Sequence, residues 1–77
     1  MYYESTYEGK KLFVEEQLEP MFQSLDDGWT SVVYVYSPYR ESVIMTNANP
    51  TKNMTVDVTA DSIRALAEDV MRAYLNR

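Results

Sequence analysis

The apolar residues of this chain change period twice, and that change limits the folds open to it. Val14, Leu18, Met21, Phe22 and Leu25 recur in steps of three and four, the spacing of one helix face. From Trp29 to Val58 the pattern alternates with the period of a strand. Ile63, Leu66, Ala67, Val70, Met71 and Tyr74 then return to helical spacing. A helical stripe, alternating segments and a second helical stripe predict an α+β fold. The order is α-β-β-β-α: a three-stranded antiparallel meander packed against two helices. With 77 residues, residues 1–77 form a single domain.

Local signals set the expected boundaries. Ser5-Thr6-Tyr7-Glu8 has the form of a capping box, so the first helix is predicted from Thr6 to Leu25. Pro20 lies inside it and cannot donate to the carbonyl of Glu16, which predicts a kink, or a break near Glu19. Asp26-Asp27-Gly28 is the stop, with Gly28 able to take a positive φ. Strands are predicted over Trp29–Ser37, Glu41–Thr46 and Asn53–Val58, joined by the turn Ser37-Pro38-Tyr39-Arg40 and a polar loop at 47–52. Thr59 is expected to cap the last helix, with Asp61 in its first turn. Leu18, Phe22, Val33, Val56, Leu66 and Val70 are the expected core.

The first strand is apolar or aromatic on both faces, with Val33 and Val35 on one and Val32, Tyr34 and Tyr36 on the other. In a simple meander it lies at an edge, where such a strand has to be covered. So short a chain buries a modest fraction of its surface, and it has no cysteine with which to staple itself. A homodimer is therefore expected, with Val32, Tyr34 and Tyr36 near the contact.

The chain contains neither cysteine nor histidine. That removes disulfides, a Cys/His zinc site, the commonest general base and the thiol nucleophile. No glycine-rich loop is present to cradle a phosphate, and the serines have no base to activate them. The expectation is a non-enzymatic protein with no metal site and no cofactor. No apolar stretch approaches the length needed to span a membrane, and the N-terminus lacks the basic and apolar regions of a signal peptide. A cytoplasmic protein without membrane contact is expected.

Charge points to binding. Residues 1–27 carry seven acids against Lys10 and Lys11, whereas residues 28–77 carry five acids and five bases. Glu8, Glu15, Glu19 and Asp26 follow one another at seven, four and seven residues and so line one helical stripe. Such a row fits a basic groove or imitates duplex phosphates; it equally keeps a small protein soluble. Tyr34, Tyr36 and Tyr39 form a second candidate surface, since tyrosine is favoured at interfaces. Direct nucleic-acid binding is not expected, because the seven Lys and Arg are scattered and the total charge is negative. The expected partner is a host or cognate protein with a basic surface.

In size, acidity, tyrosine content and lack of Cys and His, the chain resembles small phage-encoded inhibitors, anti-CRISPR proteins among them. That resemblance implies an inhibitor that docks its acidic N-terminal helix onto a basic surface of a host protein, either occupying a nucleic-acid site or plugging a protein interface. The chain is also similar to a shortened type III secretion chaperone, a class of small acidic dimers with a related order of elements. It lacks that fold's additional strands and helix. This second resemblance implies a homodimeric chaperone or assembly adaptor binding through its aromatic sheet.

Overall fold

The structure, a computed structural model, describes residues 3–58 and 61–77. Helix α1 (Tyr7–Phe13) runs into a π turn (Val14–Leu18) and helix α2 (Glu19–Ser24). Strands β1 (Trp29–Ser37), β2 (Arg40–Asn47) and β3 (Met54–Val58) follow, with a 3₁₀ turn (Pro50–Lys52) before β3, and helix α3 (Ile63–Leu75) closes the chain. The sheet is antiparallel in the order β1-β2-β3, so the predicted α+β arrangement is the observed one.

The helical arm starts one residue later in its cap than the sequence pattern suggests. Thr6, not Ser5, is the N-cap, and its hydroxyl accepts from the Gly9 amide at 3.1 Å. Ser5 instead accepts from the amide of Ile63 across the fold. At Pro20 the arm does not break. The Glu19 amide reaches back to the carbonyl of Val14, so an extra residue is wound into the turn before the proline. A π turn of this kind absorbs the donor that proline lacks. It also rotates everything after it by roughly 100°, the angle of one residue in an α-helix. The arm ends as expected: Gly28 has φ 89°, and Asp26, at φ 56°, is left-handed as well.

Helix α3 is capped by Ser62, whose hydroxyl accepts from the Ala65 amide at 3.1 Å, so Asp61 precedes the helix and lies outside its first turn. Thr59, the expected cap, lies outside the described residues.

Strand register assigns the two sheet faces. One carries Val32, Met45 and Met54, then Tyr34, Val43 and Val56, then Tyr36, Glu41 and Val58. Both helical segments pack on this face, over β1 from one side and β3 from the other. The core between them is Val14, Leu18, Phe22, Trp29, Val32, Tyr34, Val43, Met45, Val56, Val58, Leu66 and Val70. Val33 was expected here and is not. It sits on the opposite face with Val35 and Ile44. With a single sheet and both helices on one side, only one face of β1 can be covered, and the larger aromatic face takes that place.

Gly9 is required by a close approach. The backbone of Glu4 crosses α1 at this point, and a Cβ on Gly9 would lie 1.8 Å from the Glu4 carbonyl oxygen. The chain entering α1 thus lies back along the helix, where the Tyr3 ring meets Phe13 at 5.5 Å.

Candidate functional site

The acids of the helical arm do not remain one stripe. Glu8 and Glu15 are exposed, with Leu12, also exposed, one turn after Glu8. Glu16 accepts from the Tyr3 hydroxyl at 3.1 Å. Glu19 has been turned toward the sheet by the π turn, and its Oε2 accepts from the Val32 amide at 3.0 Å. One turn later Gln23 donates to the Thr30 carbonyl at 3.0 Å. The two side chains occupy the free edge of β1 at its start, where unpaired backbone groups would otherwise invite another strand. Asp26 lies beyond the end of α2 in its left-handed turn. Of the four acids predicted to align, Glu8 and Glu15 stay on the open side of the arm, Glu19 serves the sheet edge, and Asp26 is separate.

Ion pairing explains where the surplus charge ends up. Lys10 pairs with Glu41, Arg40 with Asp57, Lys52 and Arg77 with Asp27, Arg64 with Glu68, and Arg72 with Asp69. Among the described residues Glu8, Glu15 and Asp26 have no such counter-charge. Every cation of residues 28–77 is thus paired, Asp61 is the one acid of that stretch without a counter-charge among the described residues, and the outer side of the arm keeps Glu8 and Glu15 unpaired.

The tyrosines divide in a similar way. Tyr34 is buried, and its hydroxyl donates to Glu41. Tyr36 is exposed, yet its ring lies 4.9 Å from that of Tyr7 on α1, and Tyr7 also meets Tyr34 at 5.7 Å. Tyr39 stands at the tip of the β1–β2 turn and is fully exposed. Of the three residues expected at a dimer contact, Val32 and Tyr34 are buried and only Tyr36 is exposed. Val32 and Tyr34 lie under the helical arm, and Tyr36 packs one side of its ring at a tilt against Tyr7.

Two polar networks carry no clear sequence signal. In the first, Lys10 is buried, its side chain only 8% exposed against 22% for Glu41, and its Nζ lies 2.8 Å from Glu41 Oε1. Burial would raise the Glu41 pKa, but the hydrogen bonds from Lys10 and Tyr34 and the Lys10 charge outweigh it and hold the carboxyl below its ordinary range. The Tyr34 phenol is pushed up, first by burial, then by its bond to Glu41 and the neighbouring negative charge. In the second, buried Asn47 donates to the Asp27 carbonyl at 3.0 Å and accepts from the Asn49 amide at 2.9 Å. Asn53 closes the loop by accepting from the Asn47 amide at 2.7 Å. Both networks join distant segments and hold the fold rather than forming an open site. The Asn-rich loop at 47–53 and a lysine one helical turn before Val14 are the weak sequence signals of these networks.

The open sheet face is the surface that the sequence reading left unassigned. In register across the strands it presents Ser31 and Thr46, then Val33, Ile44 and Thr55, then Val35, Ser42 and Asp57. Val33, Val35 and Ile44 are 46%, 42% and 39% exposed. The charged pair Arg40 and Asp57 sits at one end, 3.9 Å apart.

Among the described residues no group of three or more acids is placed to hold a metal ion, and no helix is long and apolar enough to cross a membrane. No family model matches the chain, and no curated protein or solved structure is significantly similar to it.

Proposed function

We propose that this is a non-enzymatic binding protein that docks the outer side of its helical arm onto a basic surface of another protein. The inhibitor reading keeps its first place: an acidic arm of this kind competes for a surface that receives a nucleic-acid backbone. The observation that carries the proposal is the segregation of charge. Every cation of the body has an acidic neighbour within 4.0 Å, while Glu8 and Glu15 have no counter-ion among the described residues and flank the exposed Leu12. An exposed apolar side chain with Glu8 and Glu15 one turn to either side, and the exposed Lys11 between them, suits a small apolar pocket with a mainly basic rim.

The test is a charge reversal that spares the fold. Glu8→Lys with Glu15→Lys alters the arm only, whereas Glu19 is unsuitable because its reversal would also open the β1 edge. Tagged protein is used to capture partners from a host lysate, and the captured protein is then purified. Its affinity for the double variant should fall at least about tenfold, with most of the loss in association rate. Affinity for wild type should also weaken steeply with salt. Glu68→Lys, in the neutral body, is the control. Unchanged affinity of the double variant would overturn the proposal, as would equal loss from the control.

A further inference from the structure

We infer that the open sheet face is a self-association surface, on which a second copy of this chain packs face to face with the helices outside. Val33, Val35 and Ile44 form an aliphatic patch in the middle of that face, in register on neighbouring strands. Around them lie Ser31, Thr46 and Thr55, short hydroxyl side chains that lie flat enough for a second sheet to approach at about 10 Å.

Charge selects the occupant. A basic partner has nothing to meet here, because the charged side chains on this face, Arg40 and Asp57, are already paired with each other. The obstacle to self-association is the net charge of −5. Most of its unpaired share, Glu8, Glu15, Glu16 and Glu19, lies on the helical arm, which covers the other face of the sheet. Face-to-face packing puts the sheets about 10 Å apart and each helix about 10 Å further out. The two acidic arms are then about 30 Å apart, nearly four Debye lengths at physiological salt. Contact through the arms themselves would bring the same acids together. The geometry also leaves both arms free for the docking proposed above, on which this inference does not depend.

The patch is small. It lies on strands of nine, eight and five residues spaced about 4.8 Å apart. That is below the roughly 800 Å² per partner of a standard interface, so the dimer is expected to be concentration-dependent rather than obligate. Its geometry is isologous, each copy offering the same residues.

Sedimentation from about 1 to about 300 µM decides the matter. The mass should rise from 9.0 kDa toward twice that value with concentration. Raising NaCl from about 0.05 to about 0.5 M should change the association constant less than about threefold. Ile44→Lys and Val33→Lys should each remain monomeric throughout. If either fails to fold, Val33→Thr with Ile44→Thr keeps the β-branched backbone preference and should weaken association at least about tenfold. Leu12→Lys, an exposed apolar position on the arm, should leave association intact. A wild-type protein that stays monomeric over the whole range overturns the inference. So does a dimer that survives both face substitutions, or one that Leu12→Lys abolishes.

Discussion

Replacing Lys10 by Met should remove a large part of the stability of this protein. The substitution keeps the apolar stem in its buried place and deletes the ammonium that lies 2.8 Å from Glu41. Breaking a buried ion pair from one side costs about 3–5 kcal/mol, because the remaining charge stays in a poor solvent. The Glu41 side chain is 22% exposed, so water recovers part of that, and about 2–3 kcal/mol is expected. For a chain of 77 residues with a total stability near the low end of about 5–15 kcal/mol, that is close to half. Urea denaturation followed by Trp29 fluorescence measures it. Lys10→Met with Glu41→Gln should recover at least about 1 kcal/mol of the loss, since no carboxylate charge is then left behind while Tyr34 keeps an acceptor.

The pH dependence gives an independent check on the same network. The folded Glu41 carboxyl binds its proton less readily than the unfolded one. Its contribution is therefore present above the unfolded value of about 4.3 and is lost as pH falls through the lower folded value. Tyr34 behaves in the opposite sense. Its raised folded pKa gives a contribution that is present below about 10 and is lost as pH rises through the folded value. Lys10→Met should flatten the acid limb and Tyr34→Phe the alkaline limb. A loss of under about 1 kcal/mol at neutral pH in Lys10→Met, together with an unchanged acid limb, would refute the reasoning.

Gly9→Ala should destabilise the protein by more than the usual effect of alanine in a helix, which is favourable by up to about 1 kcal/mol, because its Cβ cannot share space with the Glu4 carbonyl. Thermal melting shows the sign directly, and a rise in midpoint would mean that the N-terminal segment does not lie across α1. Leu66→Ala, at a fully buried position, should cost about 2–5 kcal/mol by chemical denaturation. Glu19→Ala should speed exchange of the Val32 amide hydrogen at least about tenfold while leaving amides in β2 protected, since it frees the β1 edge at one point. Uniform acceleration across the sheet would instead indicate a global loss of stability.

Much of the architecture was written locally. The run from Trp29 to Ser37 is a strand because Val, Tyr and Thr favour extended backbone, and the stop at Asp26-Asp27-Gly28 follows from which residues accept a positive φ. Leu66 and Val70 declared their burial through helical spacing alone. The acid surplus of the first 27 residues was equally plain. What spacing did not contain was the destination of each side chain. An ideal helical period places Glu19 beside Glu15, but the π turn that precedes Pro20 rotates it onto the edge of a strand that begins ten residues later. Lys10 and Lys11 are adjacent lysines, and only the packing of α1 on the sheet decides that Lys10 is the one buried against Glu41, 31 residues away. Strand β1 states that both of its faces are apolar, yet not which of them the helices cover. Periodicity is a property of neighbours along the chain. The choice between two apolar faces depends on what the rest of the chain brings to each, and here it brought both helices to the side of Val32 and Tyr34 and left Val33, Val35 and Ile44 open.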